Sequence, residues 1–137
     1  MEQALSIQQV ASATGLSSHT LRYYERCDLI APIHRDQNGH RRYSAQDIRW
    51  IEFLTKLRMT GMPIRQIQQY AMLLRQQPDA VQERRALLED HRQTVIDTLQ
   101  KLQENLAVID WKIQHYKDIE QKLADTFPSP DHSQTEA

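Results

Sequence analysis

From Val81 an apolar residue returns at every seventh position: Val81, Leu88, Val95, Leu102, Ile109, Tyr116 and Leu123. Leu99, Leu106 and Ile113 stand four places after Val95, Leu102 and Ile109. This alternating spacing is the a/d seam of a coiled coil. No glycine or proline falls between Asp79 and Phe127. The second half of the chain is therefore expected to be one long helix whose apolar stripe needs a partner helix. Arg92 and Glu120 interrupt the repeat at both ends, leaving Val95 to Tyr116 as the dry stretch. A hydrophobic fraction of 39% and a mean hydropathy of −0.70 suit a small core joined to a half-solvated helix.

A net charge of −1 hides an asymmetry. Residues 1–76 hold ten Lys/Arg against six acids, and the remainder holds seven against twelve. A basic first half and an acidic second half point to a polyanion met by the first half alone. The one cysteine, Cys27, leaves no intrachain disulfide. No cleavable leader and no run of about 18 apolar residues is visible, so a soluble, cytoplasmic protein without membrane contact is expected.

Ser6 and Gln9 form a capping box for a first helix with Ile7, Val10 and Ala11 on its apolar side. Gly15 supplies a turn, and Ser17 caps a second helix from Ser18 to about Arg26, with Leu21 inward. After Pro32, Asn38-Gly39 predicts a β-hairpin with a type I′ turn. Ser44 caps a third helix carrying Ile48, Ile51, Leu54 and Leu57, and Gly61 stops it. Pro63 opens a fourth, with Ile64, Ile67, Ala71 and Leu74 on one face. Asp79 and Gln82 read as the cap of the long helix. The tail, with two prolines and mostly polar residues, is expected to be disordered.

Ala11, Gly15 and Leu21 match what a helix-turn-helix requires: a small residue, a left-handed turn and an aliphatic lock. The second helix offers Ser17, Ser18, His19, Thr20, Arg22, Tyr23 and Tyr24, donors and flat rings suited to phosphates and base edges. The hairpin adds Arg35, His40, Arg41 and Arg42 around its tip, as a DNA-gripping wing requires. For each residue taken alone, packing or simple solvation competes with a contact role.

The runs Leu21-Arg22-Tyr23-Tyr24-Glu25-Arg26, Leu29-Ile30, Arg35 to Ser44, Asp47-Ile48 and Thr60-Gly61-Met62-Pro63-Ile64 resemble the MerR family of bacterial regulators. The resemblance covers about residues 5 to 75 and extends more loosely into the long helix. It implies a mainly α fold: a winged helix-turn-helix DNA-binding domain over 1–76 with a small β-hairpin wing, a coiled-coil dimerisation helix over 77–124, and a disordered tail over 125–137. It implies a homodimer joined by an antiparallel coiled coil. Such a dimer binds a promoter palindrome and bends and untwists the spacer between −35 and −10 elements, so that RNA polymerase can use both. By position, His19, Thr20, Arg22, Tyr23 and Tyr24 would contact the major groove and phosphates. Arg35, His40 and Arg41 would contact the backbone from the wing, and Arg58 would meet a further phosphate. Tyr43 is either a contact or a packing residue.

The stretch Asp47 to Leu54 resembles the short, aldehyde- and stress-responsive members of that family, NmlR- and AdhR-like. Those sensors carry a reactive cysteine where Lys56 stands here. No cysteine follows Cys27, which argues against a thiolate metal site and an iron–sulfur cluster, so no metal and no cofactor is expected. Cys27, beside Arg26, is either a redox-sensitive thiol or, as free cysteines more often are, a small packed hydrophobe. His91 and His115 are read as solvated. No phosphate-binding glycine loop, His-Glu-x-x-His or Gly-x-Ser-x-Gly occurs, so no catalytic residue and no enzyme is expected. The alternative function is an architectural, excisionase-like DNA-bending protein without an inducer.

Overall fold

A computed structural model describes residues 4–126. It contains five helices: α1 (Ile7–Thr14), α2 (Ser18–Arg26), α3 (Ala45–Met59), α4 (Ile64–Gln76) and α5 (Val81–Thr126). The helix starts follow the local chemistry. Ser6 and Gln9 satisfy each other's backbone donors ahead of α1, and Ser44 and Asp47 do the same ahead of α3. Gly15 closes α1 in the left-handed conformation, at φ 77°, with its N–H on the Ala11 carbonyl. Pro63 falls at the cap of α4 rather than at its first helical position. α5 begins at Val81, so the cap position falls on Ala80 and not on Asp79. Arg84 Nη1 instead reaches back to the Pro78 carbonyl at 3.2 Å.

The described residues divide into two compact units, one ending at Val95 and the other starting at Ile96. The first holds a single core of Val10, Leu21, Tyr24, Leu29, Ile30, Ile33, Tyr43, Ile51, Leu54, Leu57, Met62 and Ile67. Leu88, from the first turns of α5, packs against it half-buried. His91, expected in solvent, is buried instead, with Nε2 2.7 Å from Thr60 Oγ1.

The expected β-hairpin does not develop strands among the described residues. Leu5 pairs with Tyr43 and Arg35 with Arg41, each as an isolated antiparallel bridge. Nor is the turn of type I′, which needs positive φ at both Asn38 and Gly39. Gly39 alone has it, at 80°. The Gly39 N–H donates to the Asp36 carbonyl, placing Gln37 and Asn38 at the centre of the turn. The Asp36 carboxylate accepts from the N–H groups of Asn38 and His40. A side chain thus takes a donor that a longer ladder would use.

The second unit is the solvated remainder of α5. Leu99, Leu102, Leu106, Ile109, Ile113, Tyr116 and Leu123 are all exposed. Val108 and Trp111 are exposed too, off the seam, and His115 stacks on Trp111 at 5.4 Å between ring centroids. α5 runs to Thr126, two residues past the expected end at 124. The rest of the expected tail lies outside the described residues. No helix among the described residues is long and apolar enough to cross a membrane.

Candidate nucleic-acid interface

α2 is set onto α1 by the Gly15 turn and by Leu21, which is fully buried. Ser17 Oγ accepts the Thr20 N–H at 3.0 Å and donates its own hydrogen to Thr20 Oγ1 at 2.9 Å. Both hydroxyls therefore hold the helix start as well as facing outward. His19, Arg22 and Tyr23 are exposed and Ser18 and Thr20 half-buried, whereas Tyr24 is buried in the core. Tyr43 is fully buried. Its hydroxyl finds no hydrogen-bond partner among the described residues, and burial pushes its pKa above the usual 10.

Arg22 of α2 and Arg35, His40, Arg41 and Arg42 of the following loop line one open groove of about 460 Å³, together with Ser6, Ile7 and Gln8. Three of these arginines are held in place. Arg35 Nη1 donates to the Gly39 carbonyl at 2.8 Å, Arg42 Nε to Asp36 Oδ2 at 3.1 Å, and Arg41 Nε to Glu25 Oε1 at 2.8 Å. Each contact uses one of a guanidinium's five donors, which pre-orients the group while leaving other donors for an anion. The Asp36 carboxyl sits below its usual range, chiefly because the His40 N–H bonds its charged form, with Arg42 assisting.

Arg58 stands apart from the groove, at the end of α3, with Nη1 on the Met62 carbonyl at 2.8 Å. The neighbouring Cys27 thiol holds the Tyr23 hydroxyl above the usual 10, with the positive charge of Arg58 opposing the shift. Cys27 is half-buried at the C-terminal cap of α2, and its carbonyl accepts from Gln68 Nε2 at 2.7 Å. Lys56 is exposed in a shallow groove of about 280 Å³ with Ala13, Thr14, Glu52 and Thr55. Among the described residues no three His, Cys, Asp or Glu are grouped to hold a metal ion.

Two residues that shape this surface were not singled out from the sequence, one without a local signal and one with it. Glu25 lies sixteen positions from Arg41, and nothing local announces their pairing. Asp36 was legible: an aspartate two residues before an Asn-Gly pair is poised to bond the backbone N–H groups that follow.

A two-helix unit turned on a left-handed glycine, flanked by a basic groove, defines a helix-turn-helix reader. Residues 5–73 match the model of the MerR HTH family of regulatory proteins, and the chain belongs to that family as a transcriptional regulator. It is 41% identical over 93 residues to the HTH-type transcriptional regulator AdhR of Bacillus subtilis (strain 168), a match covering 68% of this chain and 66% of AdhR. Among solved structures it resembles a protein from Listeria monocytogenes described as a MerR-family transcriptional regulator, with a TM-score of 0.82 and 34% identity. That likeness covers 89% of this chain and 96% of the other. It also resembles HiNmlR, a MerR-family regulator lacking the sensor domain and bound to promoter DNA, with a TM-score of 0.78 and 27% identity over 92% of this chain and 96% of HiNmlR.

Proposed function

We propose that the chain is a homodimeric regulator that binds a promoter palindrome and distorts the spacer between the −35 and −10 elements for RNA polymerase. The observation that carries this reading is the groove shared by Arg22, Arg35, His40, Arg41 and Arg42, a concave cationic surface beside an exposed helix. The likeness to HiNmlR, which is bound to promoter DNA, supports it. In this reading residues 1–76 form the reader and the loop of Arg35 to Arg42 serves as its wing. His19, Arg22, Tyr23, Arg35, His40, Arg41, Arg42 and Arg58 meet DNA. Ser17, Ser18 and Thr20 set the start of the recognition helix at the backbone, and Tyr24 and Tyr43 support it from beneath.

Residues 77–124 form the dimerisation helix. The exposed seam from Leu99 to Tyr116 favours a second copy, because an isolated helix gains nothing by holding six large apolar side chains in water. An antiparallel pair places a reader at each end. A cytoplasmic stress response fits the likeness to AdhR and to the short branch of the family.

The test is a footprint on the DNA upstream of the protein's own gene, using reagents that attack distorted base pairs. Protection of a palindrome between over-spaced −35 and −10 elements, with reactivity at its centre, is expected. Binding away from any promoter would favour an architectural role, and absence of salt-sensitive binding would overturn the reading.

A further inference from the structure

His91 is the one residue of α5 that is buried among those described, at 8% exposure. A buried imidazole needs a partner, and Thr60 supplies it at 2.7 Å. Thr60 Oγ1 directs its single hydrogen to the Lys56 carbonyl at 2.7 Å, with the Leu57 carbonyl at 3.2 Å. With that hydrogen on the Lys56 carbonyl, the hydroxyl is left to accept from Nε2 in the tautomer that protonates it. This bond joins α5 to a residue 31 positions earlier, at the corner between α3 and α4. The corner is otherwise well fixed. Gly61 turns it at φ 91°, and the fully buried Met62 donates its N–H to the Leu57 carbonyl. Arg58 donates to the Met62 carbonyl, so the same corner holds the guanidinium proposed to meet a phosphate. One turn before His91, Leu88 packs on the core.

We propose that His91 is a positioning residue: through Thr60 it pins the first turns of the dimerisation helix to the corner that presents Arg58. The role rests on the function proposed above, since it matters only if two readers strain one DNA site. Loss of the bond lets the corner and helix move separately, so DNA is still held but bent less effectively.

The full-length protein is compared with His91→Leu, Thr60→Val, the double variant and Thr60→Ser. Amide exchange is followed in the free protein, and affinity and spacer distortion are followed on the duplex upstream of its own gene. With one neutral hydrogen bond lost, the Met62 amide is expected to exchange about fivefold faster in His91→Leu, and distortion to fall by a similar factor while affinity changes less than about twofold. Thr60→Ser should match the parent, and the double variant should exchange no faster than Thr60→Val. Unchanged exchange in His91→Leu, or fully additive effects in the double variant, overturns the pinning. Faster exchange with parental distortion overturns the positioning role. If the parent itself distorts no DNA while the exchange pattern holds, the pinning stands and the promoter reading falls.

Discussion

Replacing Tyr43 by phenylalanine removes one oxygen from a place where that oxygen has nothing to bond. The side chain is fully buried and its hydroxyl has no partner among the described residues. A buried hydroxyl without a partner costs about 1–3 kcal/mol, whereas the ring itself packs. Tyr43→Phe keeps the ring, so a net gain of about 1 kcal/mol is expected, after a small loss of contact around the vacated atom. For a reader of this size that raises Tm by about 4–8 °C, measured by circular dichroism at one fixed protein concentration.

Alkaline pH gives a second measure of the same group. Burial raises the hydroxyl pKa above 10, so the fold prefers the neutral phenol. Its contribution is complete below pH 10 and is lost as pH rises through 10 toward the folded value. The variant should lack that part of the alkaline decline. Promoter affinity should match the parent, because the hydroxyl does not reach the surface. A lower Tm would mean that the oxygen has a partner after all. A loss of affinity with unchanged Tm would make Tyr43 a DNA contact and refute the packing argument.

Ile109→Glu, at a solvated seam position, should convert a dimer to a monomer in sedimentation. A carboxylate buried without a partner costs about 3–5 kcal/mol, weakening association more than roughly a hundredfold; an unaltered dimer would place the interface elsewhere. Glu25→Gln should destabilise the reader by about 1–3 kcal/mol in urea titration, since both side chains of the Arg41 pair are about four-fifths buried. It should also steepen the salt dependence of DNA binding by about one unit as Arg41 is released toward phosphate; an unchanged slope would mean that Arg41 already uses its other donors there. Acid should loosen the loop around Asp36. Its carboxylate is held below 3.8, so the stabilisation is intact above that value and is lost as pH falls through the lower folded value, visible as faster exchange at the Asn38 and His40 amides.

The sequence by itself determined the helices, because their signals are local. Ser6, Ser17 and Ser44 each meet a backbone donor three residues on, and Gly15 and Gly61 take conformations that β-carbons resist. The heptad spacing determined α5 for the same reason: period is a property of neighbours along the chain. The tertiary structure decided what depends on distant partners. Tyr23 and Tyr24 are adjacent and chemically equivalent, yet one is exposed and the other lies in the core, because only packing between helices fixes the rotation of α2. Glu25 finds Arg41 across sixteen residues and His91 finds Thr60 across 31, and neither pairing has a periodic trace. The loop at Asp36 shows the two levels in competition. Asn38-Gly39 favoured one turn locally, and the Asp36 carboxylate, bonded to two backbone donors and to Arg42, accompanies another.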